Sequence, residues 1–206
     1  MKRYLLYILF LLQGLTTQAE SIDSLFTRVP AGVLPMLAHN ARLDLLDLYN
    51  YKMTAKAEND FGGTSYLLVK AENFLHLKLT DVSQWSLKRL TSQNDTILCC
   101  IHSIIRPAIA SSISFYDNQW QPLKIELPQP DAQLFWQPTD SLTHDRIAEL
   151  QARLDFTAVI AAWDVEACEL TFRIAISDLN EEDRKDAELC LRPVTYVWQE
   201  RRFILK

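Results

Sequence analysis

From Ser65 onward the apolar residues leave helical spacing and begin to alternate, and this change of period narrows the possible folds more than any other feature. The runs 66–70, 73–79, 85–90, 96–105, 111–116 and 120–127 are short and are separated by turn residues such as Asp117-Asn118. Pro107 ends the strongest of them. A parallel pair needs a crossover of about a dozen residues, so strands this close in sequence pair antiparallel. The run 73–79 alternates only partly, which predicts one strand face more polar than the other.

The flanking segments differ. Residues 20–60 read as helical, with a short turn from Ser21 to Arg28, breaks at Pro30 and Pro35, and a second helix capped by Asn40. Leu43, Leu46 and Tyr49 form the apolar face of that second helix. Gly62-Gly63 marks the switch to strands. After a stiff connector at 128–140, containing Pro128, Pro130 and Pro138, a helix is expected at 141–154 with Ser141 or Thr143 as cap. Strands at 156–163 and 169–176, a charged helix at 179–189 and a hairpin at 194–198 and 203–205 complete the chain. The fold class is α+β, predominantly antiparallel sheet, with N-terminal helices and one or two helices in the C-terminal half. Residues 20–206 form a single domain, with two similar halves meeting near 128–140. Trp-bearing hairpin strands around Trp120 and Trp198 suggest the duplication.

Residues 1–19 read as a cleavable secretory signal. Lys2 and Arg3 precede an apolar run over 4–12, and Thr17-Gln18-Ala19 supplies the small residue before the cut. The run is shorter than the roughly 20 residues a spanning helix needs, and the lack of a nearby cysteine argues against a lipid anchor. The mature chain is therefore expected to be periplasmic or secreted, without a membrane span. Losing Lys2 and Arg3 takes the net charge from −5 to −7. An acidic chain without clustered Lys and Arg is a poor partner for nucleic acid.

Export permits disulfides. Of Cys99, Cys100, Cys168 and Cys190, the adjacent pair points to opposite strand faces, which leaves Cys168–Cys190 as the candidate bridge. Buried free thiols are the alternative. The chain contains no phosphate loop, nucleophile elbow or HExxH pattern, and its four histidines, at 39, 76, 102 and 144, lack metal-ligand spacing. Cys100 and His102 share a strand face, but a site there lacks a third group. No cofactor is expected. The densest polar cluster is Arg42, Asp44 and Asp47. Asp44 and Asp47 share a helix face and could bind a ligand, hold a cation or move a proton. The competing reading has Arg42 docking its helix onto the sheet through ionic hydrogen bonds. The charge run 181–188 reads as a solvated helix face, and the five tryptophans as core.

The block Pro30, Val33-Leu34-Pro35-Met36-Leu37, Asn40 to Asp47, Asn59 and Gly62-Gly63-Thr64-Ser65 resembles an uncharacterised family of secreted proteins from Bacteroidales-type bacteria. Ser112-Ile113-Ser114-Phe115-Tyr116 and Pro193-Val194-Thr195-Tyr196 fit the same resemblance. It implies a Gram-negative envelope and transfers no catalytic residue. It also implies O-glycosylation of exported chains at Asp-Ser/Thr-aliphatic triplets, which here place candidates at Ser24, Thr96 and Ser141. The expected function is a non-catalytic binding or interaction module whose partner is an envelope protein, glycan or lipid. One alternative is a carrier for a lipid or lipoprotein tail. The other is a hydrolase using Asp44 or Asp47 with a histidine.

Overall fold

The computed structural model describes residues 20–91, 95–105, 110–137, 139–154 and 158–206. The signal at 1–19, and Pro107, Pro138 and Phe156 at expected element ends, lie outside the described residues.

The chain opens with α1 (Ile22–Thr27), whose N-cap Ser21 accepts from the Ser24 amide at 3.2 Å. Helix α2 (His39–Asn50) starts at Ala38 without a side-chain cap, so Asn40 sits inside the first turn and is not the N-cap. The buried face of α2 is Arg42, Leu45 and Leu46, while Leu43 is 40% exposed. Of the expected apolar face, Leu46 is buried and Leu43 is not, because the buried side centres on Arg42, Leu45 and Leu46. The helix ends in a Schellman arrangement, Met53 N to Leu48 O at 2.9 Å and Lys52 N to Tyr49 O at 3.0 Å, with Lys52 in the left-handed conformation.

The expected helical stretch to residue 60 is cut short by β1 (Lys56–Glu58), which pairs with β2 (Thr64–Ala71). Then follow β3 (Phe74–Lys78), β4 (Ser83–Thr91), β5 (Thr96–Ile104), β6 (Ala110–Asp117) and β7 (Pro122–Leu123). All pair antiparallel in chain order as one seven-stranded sheet. The predicted strand 120–127 shrinks to two residues. Asp117 Oδ1 accepts from the Gln119 and Gln121 amides at 2.8 and 2.9 Å, and Trp120 turns at φ 62°. Trp120 thus enters the core from a turn, whereas Trp198 enters from a strand.

Asn59 closes the β1–β2 loop. Its Oδ1 accepts from the amides of Phe61 (3.1 Å) and Gly63 (3.0 Å), and its Nδ2 donates to Ser65 Oγ and Leu79 O, each at 3.2 Å. Gly62 takes φ 78°, and a Cβ on Gly63 would stand 3.2 Å from the Asn59 amide nitrogen. This is the physical basis for the pair of glycines at the helix-to-strand switch.

The later residues form a second antiparallel sheet from β8 (Val159–Trp163), β9 (Glu169–Ile174), β10 (Val194–Gln199) and β11 (Arg202–Leu205), in the order β11-β10-β9-β8. Helix α3 (His144–Arg153) is capped by Thr143, and α4 (Glu181–Cys190) by Asn180. Arg146 bonds Asp183 and Asp186, each at 2.7 Å, so part of the charge run faces α3 and not solvent, and Asp183 is buried. The connector carries a 3-10 turn (Ala132–Phe135) that buries Phe135, and its carbonyl accepts from Arg192 N at 2.8 Å.

The large sheet separates two cores. On one face, Leu75, Leu77, Leu87, Leu98 and Cys100 meet α1 and α2. On the other, Phe74, Cys99, Ile101 and Phe115 meet Trp163, Phe172 and Trp198 of the small sheet. Residues 85–90 are therefore buried without interruption, because each successive side chain enters a different core. Two of those residues are cations. Lys88 is fully buried and its Nζ donates to the carbonyls of Asp164 (2.9 Å) and Val165 (2.8 Å) in the β8–β9 turn. Arg89 points the opposite way, to Asn73 Oδ1 at 2.7 Å and to the Glu20 carbonyl ahead of α1.

Two stability outcomes follow from these contacts. Asn59→Ala removes four hydrogen bonds, two of them buried ones to Ser65 Oγ and Leu79 O, and a loss of about 2 kcal/mol is expected in urea unfolding. Lys88→Ala empties a fully buried position and strips the Asp164 and Val165 carbonyls of an ionic donor, and is expected to cost about 3 kcal/mol by the same measurement.

Candidate functional site

The polar face predicted for 73–79 is real, and its residues His76 and Lys78 are half-buried. Period-two geometry puts Leu75 and Leu77 under the helices and turns Phe74 and His76 the other way. His76 pairs across the strands with Ser86, and Gln84, two residues along β4, shares that face. The small sheet covers this face only in part, and β8 is its edge strand. The uncovered remainder is a cleft of about 420 Å³, within the roughly 300–1,000 Å³ of small-ligand sites. Phe74, His76, Ser86 and Ile101 line it from the large sheet, and Ile160 to Trp163 from β8.

The cleft is walled by fixed groups. Ala161 N donates to Ser111 Oγ at 3.1 Å, and Ser111 Oγ lies 2.8 Å from Ser103 Oγ, so β8 is tied to β5 and β6. Trp163 donates its indole N–H to Cys99 Sγ at 3.1 Å. Burial pushes the Cys99 thiol up to about 12 and the Cys100 thiol well above its ordinary value. Neither is a ready nucleophile. His76 stacks on Phe74, with centroids 6.4 Å apart and planes 8° from parallel. Desolvation lowers its pKa, so the neutral imidazole is favoured. Among the described residues, no Asp, Glu, Lys or Arg lines the cleft.

The residues singled out in the sequence lie elsewhere. Arg42 is buried, and its guanidinium donates to the carbonyls of Phe26 (3.4 Å) and Val29 at the end of α1. It docks helix to helix, where the sequence reading had it dock onto the sheet. Asp44 and Asp47 are on the exposed side of α2. His39 Nδ1 is engaged 3.0 Å from the Thr27 carbonyl. Among the described residues, no group of three or more His, Cys, Asp or Glu side chains could hold a metal ion.

The Cys168–Cys190 bridge is not formed; all four cysteines are free. Cys190 is buried on α4 with its thiol 3.4 Å from Asp186 O, whereas Cys168 sits on the β8–β9 connection, its carbonyl accepting from Trp198 N. Of the triplet hydroxyls, Ser24 is held to Glu20 Oε1 at 2.6 Å, Thr96 begins β5 half-buried, and Ser141 is exposed on a loop.

The sequence reading missed the cleft. The signal present was the polar set His76, Gln84 and Ser86 inside otherwise buried strands, but nothing in the sequence says that a second sheet stops short of them.

No helix among the described residues is long and apolar enough to cross a membrane. No functionally curated protein matches the chain. A solved domain of an uncharacterized protein from Porphyromonas gingivalis W83 is similar to it, at 26% identity and a TM-score of 0.68, over 90% of this chain and 97% of that one. Residues 14–203 match a family described as proteins of unknown function, DUF3256. On the extent of that match, the chain belongs to the DUF3256 family.

Proposed function

We propose that the protein is an exported, non-catalytic binding module of the bacterial envelope whose ligand occupies the cleft between the two sheets. The cleft carries this reading: a recess of about 420 Å³, apolar in most of its lining and bounded mainly by strands. The charged, apolar, small-residue order of 1–19 supports export. Glu20, the first residue after the expected cut, is tied down by Arg89 through its carbonyl and by Arg28 through its carboxylate. The hydrolase alternative loses its support because His39 is bonded to Thr27 O while Asp44 and Asp47 face outward. The carrier alternative uses the same cleft and differs from the leading reading only in the fate of the ligand.

Two measurements test this. The neutral apolar fluorophore N-phenyl-1-naphthylamine should bind the mature protein 1:1, with energy transfer from tryptophan. Ser86→Phe, which fills the cleft from the large-sheet side, should weaken that binding at least tenfold. Equal binding by a folded Ser86→Phe variant places the ligand elsewhere. Separately, N-terminal sequencing of protein from a native envelope fraction should begin at Glu20, and intact mass should show any added glycan, which exposure favours at Ser141. A chain that retains residues 1–19 would refute the export reading.

A further inference from the structure

The ligand's chemistry can be read from the groups that face it. Ser86 is only 6% exposed, and its side chain lines the cleft. His76 lies directly across from it on β3, and Gln84 lies two residues away on the same face of β4. His76 is held by its stacking on Phe74. All three line the cleft. A hydroxyl, an imidazole and a carboxamide on one face can donate to and accept from an uncharged polar group that enters.

That something carries no net charge. A carboxylate or ammonium taken out of water needs a fixed counter-charge, and among the described residues none lines this recess. Two cations stand near it and both are committed. Lys78, across from Gln84 on β3, pairs with Asp81 at 2.6 Å. Lys88 donates to Asp164 O and Val165 O, and its ammonium stands 5.7 Å from the centre of the Phe74 ring. The remainder of the lining, with Ile101, Ile160 and Trp163, suits an aliphatic chain.

We infer that the cleft binds an uncharged amphiphile, an aliphatic chain bearing a neutral hydroxyl, ester or amide head that hydrogen-bonds Ser86, His76 and Gln84. This rests on the cleft being the binding site, and it adds the ligand's class.

The test displaces bound N-phenyl-1-naphthylamine from the full mature chain with three twelve-carbon probes, each below its aggregation concentration. They are 1-monolauroylglycerol, laurate and dodecyltrimethylammonium. The neutral ester should bind 1:1 and at least tenfold tighter than either ion. Ser86→Ala should weaken the ester several-fold while leaving the melting temperature nearly unchanged. Gln84→Lys, which puts a cation at the head position, should shift preference toward laurate. If laurate or the ammonium binds the native protein as tightly as the ester, the neutral-ligand inference is overturned while the cleft reading stands. If neither the fluorophore nor any probe binds, both fall. The preference of the native protein decides the question even where a variant misfolds.

Discussion

Lys88 and Arg89 are neighbours on a strand that has no solvent face over 85–90, and the layers of the molecule are fastened through them. Alternation sends their side chains in opposite directions. Lys88 reaches the β8–β9 turn and fixes the small sheet, while Arg89 reaches Glu20 and fixes the chain ahead of α1. A buried cation is tolerated only where it is fully hydrogen-bonded, so each is a strong constraint on where its layer sits. Both use main-chain carbonyls as acceptors, so the docking depends on local backbone shape more than on a partner side chain.

That docking produces the cleft. The small sheet is held over β5 and β6 by Lys88, by the Ser103–Ser111–Ala161 hydrogen bonds and by the Trp163–Cys99 contact. Its edge strand β8 lies over β5 and β6 and borders the recess together with the face of β3. The uncovered strip therefore shows polar residues that a fully covered sheet would have had to pair. Among the described residues no charged side chain lines the recess, and Lys88 is spent on holding the small sheet in place.

Local features were legible residue by residue. The hairpin of β2 and β3 turns where Ala71-Glu72 suggested, Cys99 and Cys100 enter opposite cores, and Thr143 caps its helix. Each depends on period or on a side chain bonding its own backbone, and both are written in neighbouring residues. The misreadings share a cause. Asn40 has the chemistry of a cap, 120–127 has the composition of a strand, and Asp183 has the charge of a surface, but packing overrode each. Arg42 is the plainest case, since its interior role depends on two carbonyls of α1 more than a dozen residues away.

The sequence by itself determined an α+β chain of antiparallel strands, because alternation and short turns leave a strand few other neighbours. It also determined that this chain is acidic and lacks the spacing of familiar catalytic motifs. Only the tertiary structure decided that the strands divide into two sheets, that a lysine and an arginine clamp the layers, and that the polar side of β3 opens into a recess. Those outcomes depend on contacts between residues up to 77 positions apart, such as Lys88 with Val165, and no local pattern encodes which distant surface a strand face will meet.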